Sequence, residues 1–196
     1  MNKTVLGCGV ALVALLLIGG LVTWSSYNGL VSLDEGVNAA WGDVQTQYQR
    51  RLDLIPNLVN TVKGSANFEQ ETLKAVVEAR SRVGQTNFNQ APNAAQMKEF
   101  QANQDALSGA LSRLLVVVEQ YPDLKASASF RDLQAQLEGT ENRIAVARKR
   151  FNDAAKDYNT KRRSFPTVIL ANLFGFGEKS YFEAAAGADQ APKVQF

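Results

Sequence analysis

Apolar and polar positions fall into two regimes along this chain. From Val5 to Val22 the residues read VLGCGVALVALLLIGGLV without a charge, and Thr4, Thr23 and Trp24 extend the run to about the twenty residues that a bilayer core requires. Beyond Trp24 the apolar residues recur at steps of three and four, with no alternation of the kind that marks strands. The pattern predicts an all-α protein: an N-terminal transmembrane helix, then an antiparallel bundle of three to four long helices.

In the first bundle helix Leu30, Leu33, Val37, Trp41, Val44, Tyr48, Leu52, Ile55, Val59 and Val62 share one stripe. Pro56 lies inside it and is predicted to kink the helix, because it cannot donate to the carbonyl four residues back. Asn67-Phe68-Glu69-Gln70 has the spacing of a capping box and opens a shorter helix carrying Leu73, Val76, Val77 and Val83. Gly84 to Asn93, with Asn87, Asn89 and Pro92, reads as a loop. A third helix places Met97, Phe100, Gln104, Leu107, Leu111, Leu114, Val118 and Tyr121 at 3,4 steps until Pro122 stops it. The fourth carries Phe130, Leu133, Leu137, Thr140, Ile144, Ala147, Phe151, Ala154, Tyr158 and Phe165 and ends at Pro166. Short loops reverse each neighbour, so the fourth helix returns toward the bilayer.

The expected organisation is a short flank (1–3), the anchor (4–24), the bundle (25–166), an apolar segment (167–186) and a tail (187–196). Thr4, Val5, Leu12, Leu15, Leu16, Ile18 and Trp24 are the expected lipid contacts of the anchor. A cleaved signal peptide is the competing reading, but the run exceeds a typical apolar signal core and no Ala-x-Ala-like pair precedes Trp24. Val5-Leu6-Gly7-Cys8 looks like a lipobox, yet that motif follows its apolar stretch, whereas here the stretch follows Cys8; the cysteine reads as a small apolar residue of the span. Lys3 flanks the run on one side and Asp34, Glu35 and Asp43 on the other, so the positive-inside rule puts the bundle outside the cytoplasm.

Composition narrows the chemistry. Lys plus Arg number 21 against 19 Asp plus Glu; without Lys3 the bundle stands near neutrality and offers no field for nucleic acid. With no His and one Cys, the usual metal ligands and the commonest general base are missing, so no metal or cofactor is expected. Carboxylate or lysine chemistry is still allowed.

Three polar strings stand out. Arg50-Arg51-Leu52-Asp53-Leu54-Ile55-Pro56-Asn57 gathers charges and an amide beside the proline, either as a partner-docking notch or as an internal network that fixes helix register. Glu138-Gly139-Thr140-Glu141-Asn142-Arg143 offers two carboxylates one turn apart, with no second carboxylate across a cleft, which favours a structural role. Phe151-Asn152 and Tyr158-Asn159, one heptad apart, are explained as seam positions with polar neighbours. Where the fourth helix ends, Lys161, Arg162 and Arg163 precede the apolar residues Leu170, Phe174 and Phe176. This base either meets lipid headgroups or packs beneath the bundle with its cations solvated.

These strings together resemble the LemA family of bacterial membrane-anchored proteins. The resemblance runs from Tyr27-Asn28 to Val194-Gln195-Phe196 and is most specific at Ala40-Trp41, Arg50 to Val59, Val62-Lys63, Glu78-Ala79-Arg80, Glu119 to Lys125, Leu137 to Ile144, Tyr158-Asn159-Thr160, Phe165-Pro166, Tyr181-Phe182 and Pro192-Lys193-Val194. Phe151 departs from it, standing where such an aromatic-Asn pair more often opens with Tyr. The resemblance implies an N-terminal anchor, a long antiparallel bundle and a place in the bacterial inner membrane. It implies no catalysis and supplies no cofactor residues; magnetosome-associated relatives suggest scaffolding in membrane organisation.

The leading expectation is therefore a non-enzymatic single-pass scaffold whose partners are the bilayer and an unidentified protein. Self-association stays open, since seams this regular also extend between chains. The rivals are an envelope enzyme or enzyme accessory built on Glu138, Glu141 and Asp53, and a module that senses the lipid interface.

Overall fold

A computed structural model describes residues 3–64, 69–86 and 88–183, with side chains described at Gly7 and from Ala11 onward. The side chains of Thr4 and Val5, the residues Asn67, Phe68 and Asn87, and the tail 187–196 lie outside the described residues. Among the described residues six helices follow one another, α1 (Lys3–Lys63), α2 (Gln70–Gly84), α3 (Ala94–Val118), α4 (Pro122–Ala126), α5 (Ala128–Arg163) and α6 (Thr167–Leu173), and there is no strand.

Anchor and first bundle helix are one element of 61 residues, about 90 Å long at 1.5 Å per residue. Over its N-terminal third the described side chains face outward, Leu12, Leu15, Leu16, Ile18 and Leu21 among them. An apolar surface on all sides of a helix is at home in lipid. Trp24, 69% exposed, closes this stretch where an interfacial aromatic belongs.

From Leu30 onward α1 buries one stripe, and every residue read onto it is buried except Leu33, which is half-buried. The core divides into two clusters. Near the anchor, Leu30, Val37, Trp41, Val44 and Tyr48 of α1 meet Met97 and Phe100 of α3 and Ile144, Phe151 and Tyr158 of α5. At the far end, Ile55, Leu58 and Val62 meet Leu73 and Val76 of α2, Leu107 and Leu114 of α3, and Phe130 and Leu137 of α5. The early part of α1 thus faces the late part of α5, so these two helices run antiparallel, while α3 climbs away from the anchor.

The helix passes through Pro56 without a break. The carbonyl of Leu52, four residues back and deprived of its usual partner, accepts a hydrogen bond from Arg80 Nε at 3.1 Å. This bond ties α2 to the last quarter of α1.

Several boundaries differ from the sequence reading. α2 begins after Glu69, whose side chain caps no backbone amide, while a complete capping box opens α3: Asn93 Oδ1 accepts from the Gln96 amide and Gln96 Oε1 from the Asn93 amide, both at 3.0 Å. Pro122 does more than end α3, since it occupies the first turn of the short helix α4, where a missing amide hydrogen costs nothing. Phe165 is 81% exposed rather than on the α5 seam, because α5 ends at Arg163 and the chain turns before reaching it. Residues 167–173 form the short helix α6, whose Thr167 and Ala171 are buried.

Candidate functional site

Three side-chain arrangements hold this frame. In the first, α1 turns Arg51 inward, 1% exposed. Its Nη1 donates to Ser108 Oγ at 3.0 Å and Glu141 Oε1 at 2.9 Å, its Nη2 donates to Gln104 Oε1, and its guanidinium lies 5.0 Å from the centre of the Tyr48 ring. One side chain thereby joins α1, α3 and α5. Burial pushes the Tyr48 hydroxyl above its ordinary pKa, with the positive charges of Arg148 and Arg51 opposing the shift.

Arg51 and Glu141 are the members of the two sequence strings that meet. Asp53 is exposed and accepts from Gln49 Nε2 at 2.8 Å; Glu138 is exposed and accepts from Gln134 Nε2 at 3.1 Å. Arg50, Asn57, Asn142 and Arg143 are exposed. Arg50 and Asp53 line an open groove of about 700 Å³ with Gln45, Gln49 and Asn89, and Asn142 and Arg143 line another of about 380 Å³ with Asp43 and Gln47. The three carboxylates considered for acid-base work are thus each held by a different neighbour.

The second arrangement was not foreseen. After α6, Gly175 adopts a positive φ of 74°, which a side chain would strain, and the Phe176 amide donates back to the Ala171 carbonyl at 2.9 Å. The chain leaves this turn as an extended strap, 176–183, that runs antiparallel along α5. Asn159 Oδ1 accepts from the Lys179 amide and Asn159 Nδ2 donates to the Lys179 carbonyl, at 3.0 and 2.8 Å. Asn152 repeats this with Phe182 at 2.8 and 3.0 Å. Seven helical residues rise about 10.5 Å and three extended residues about 10 Å, so the two clamps are in register. Only a carboxamide side chain both accepts and donates in this way.

Further bonds line up along the same helix: Arg148 Nη2 to the Glu183 carbonyl at 2.9 Å, Tyr158 OH to the Gly177 carbonyl at 2.9 Å, and Arg162 Nε to the Phe176 carbonyl at 2.6 Å. Lys179 pairs with Asp34 of α1 at 2.6 Å. Burial raises the Tyr158 pKa, the Asp34 charge adds to this, and Arg162 opposes it. Phe182 is buried at the end of the strap among Trp41, Phe100 and Phe151, with ring centres 6.2, 6.3 and 5.5 Å away. The signal that could have found the strap is the pair of Asn residues seven apart on the seam helix, together with Tyr181-Phe182 downstream.

The third arrangement is the base. Tyr27 of α1 meets the rings of Phe174 and Phe176 edge-on at 5.2 and 5.6 Å. Lys161 and Arg163 are exposed beside it, whereas Arg162 is taken up by the strap. Of the apolar residues proposed for this end, Leu170 and Phe176 are half-buried and Phe174 is exposed.

An apolar helix continuous with a helical bundle, and polar side chains consumed by holding that bundle together, define the class: a membrane protein with a helical domain. The chain belongs to the LemA family, whose sequence model matches residues 40–196. It is similar to the magnetosome protein MamQ 2 of Paramagnetospirillum magneticum, 27% identical over 182 residues, covering 83% of this chain and 66% of the relative. The magnetosome protein MamQ of Magnetospirillum gryphiswaldense is 26% identical over 181 residues with the same coverage. Protein LemA of Metamycoplasma hominis is 26% identical over 142 residues, 72% of this chain and 62% of that protein. The chain therefore spans just under two thirds of the length of these relatives.

Proposed function

We propose that the chain is a non-enzymatic, single-pass scaffold of the bacterial inner membrane that holds a protein partner at a set position relative to the bilayer. The observation that carries this reading is the continuity of α1, which is both the anchor and a core helix of the bundle. A partner bound to the bundle is coupled to the membrane through a helix whose later part is locked by packing, rather than through a flexible linker.

The polar chemistry supports the same reading. Glu141 is neutralised by buried Arg51, and Asp53 and Glu138 are exposed on separate helices, each with a carboxamide neighbour. A carboxylate enzyme needs two such groups converging on one site. The similarity to two magnetosome proteins agrees with a membrane-associated role. The single lysine before the anchor favours an extracytoplasmic bundle. The groove beside Arg50 and Asp53 is the proposed docking face, since it is open, polar and not needed by the core.

The test is photo-crosslinking in cells from positions 50 and 53 of the full chain, with positions 142 and 143 as a comparison. Capture of one and the same protein from the first pair supports the scaffold. Repeated capture of nothing but the chain itself contradicts a hetero-partner role.

A further inference from the structure

The base carries apolar surface that the bundle does not cover. α6 buries Thr167 and Ala171 and turns its other face outward: Ile169 is 58% exposed and Leu173 74%, with Phe165 exposed just before the helix and Phe174 just after it. Ile169 and Leu173 stand four residues apart on one face of α6, and Phe165 is exposed in the turn that leads into it. Large side chains presented together in this way mark an interaction surface rather than scattered surface residues.

Packing sets the depth of this face. Phe165, Pro166 and Thr167 line a cleft of about 300 Å³ whose opposite wall is Leu21, Val22, Ser25 and Ser26 of α1. Leu21 and Val22 precede Trp24, so they belong to the last turn of the apolar run; at 1.5 Å per residue Leu21 lies about 4.5 Å below Trp24. Through Phe165 the exposed apolar surface therefore adjoins the lipid-facing side of the anchor. Lys161 lines the same cleft and Arg163 is exposed at the same end.

We propose that Phe165, Ile169, Leu173 and Phe174 form a wedge that enters the leaflet from which α1 emerges, giving the chain a second membrane contact. Lys161 and Arg163 face anionic headgroups at its rim. The occupant is the bilayer because the exposed apolar surface adjoins one that lipid already covers, and because cations flank apolar residues as they do in interfacial helices. This sharpens the sequence reading of the base: Phe165 joins the wedge, while Leu170 and Phe176 turn toward the protein. The inference rests on the reading of 4–24 as a membrane span, and its test separates the two.

The experiment uses the full chain with Cys8→Ser, which removes the one native cysteine, and a single fluorophore-labelled cysteine from Ile169→Cys or Leu173→Cys. Leu17→Cys reports on the span and Val116→Cys, exposed on α3 far from the anchor, reports on solvent. Each protein is reconstituted in vesicles of phosphatidylethanolamine and phosphatidylglycerol with brominated acyl chains. Labels at 169 and 173 should lose fluorescence as the label at 17 does, while the label at 116 keeps its own. If the label at 17 is quenched but those at 169 and 173 behave like 116, the wedge is wrong and the span stands. If 17 is not quenched, the span fails and the wedge with it. Unquenched base labels that crosslink between chains assign the face to a second copy and overturn the proposal. In an intact wedge, Lys161→Ser with Arg163→Ser reduces quenching at 173 in these vesicles and leaves it unchanged when all lipid is zwitterionic; equal reduction in both overturns the role given to the cations.

Discussion

Asn152 and Phe182 grip each other at one peptide position: the Phe182 amide donates to Asn152 Oδ1 at 2.8 Å and Asn152 Nδ2 returns a bond to the Phe182 carbonyl at 3.0 Å. Asn159 does the same for Lys179. A carboxylate accepts but cannot donate, so Asn152→Asp and Asn159→Asp each leave a carbonyl without its partner. Each should destabilise the bundle by about 1–2 kcal/mol and the strap by more than the rest. Hydrogen exchange checks this: the amides of Lys179 and Phe182 should exchange faster, with the far-end core unchanged. Equal acceleration throughout α3 would show that the strap has no separate stability.

The seams were legible because core packing imprints a 3,4 rhythm on every helix that makes it, and residues such as Trp41, Leu114 and Phe151 fall on that rhythm. The strap left no rhythm. Its clamps join side chains to backbone twenty and thirty residues away, and Asn152 and Asn159 look like ordinary polar neighbours of seam residues until Lys179 and Phe182 are placed against them. Arg80 was hidden for the same reason: proline predicts a carbonyl in need of a donor, but not which helix supplies it. Phe165 misled because its spacing continued the seam past the point where α5 stops.

Arg51 and Glu141 should respond unequally to removal. Arg51 is buried and serves Gln104, Ser108 and Glu141, whereas the Glu141 side chain is 48% exposed and water can replace its partner. Arg51→Ala removes a large buried side chain and leaves the buried Gln104 carbonyl oxygen without its donor, which together should cost about 3–5 kcal/mol. Glu141→Gln keeps an acceptor for Arg51 Nη1 and loses only the charge-assisted part of the bond, so it should cost less, about 1–2 kcal/mol. Denaturant midpoints in one detergent decide the order, and equal losses would contradict it.

The bond from Arg80 to the Leu52 carbonyl predicts that Arg80→Met is destabilising although Arg80 is partly exposed. A partly buried carbonyl without a donor costs about 1–3 kcal/mol. Adding Pro56→Ala restores the donor within the helix, so the double variant should recover part of the loss. No recovery would mean that Arg80 acts elsewhere.

Stability should also fall in alkali for a specific reason. Burial raises the pKa of Tyr48 above its ordinary value of 10.0. The folded state therefore holds this proton more tightly than the unfolded state does. The contribution is fully present below about pH 10, the unfolded value, and is lost as pH rises through the folded value. Tyr48→Phe removes the titrating group, so the variant should lose less stability than the parent between neutral pH and the alkaline range. Parallel losses in thermal melts would contradict the assignment.

The scaffold reading requires anchor and bundle to be one rigid unit through α1. Spin labels at Leu17, inside the span, and Asn60, exposed near the far end, are separated by 43 residues of one helix, about 65 Å at 1.5 Å per residue. Pulsed electron-electron resonance on the full chain in lipid nanodiscs, with Cys8→Ser, measures that distance. A single narrow distribution near this length is the predicted result. A broad distribution, or one centred well below it, would place a hinge between membrane and bundle and contradict the scaffold reading.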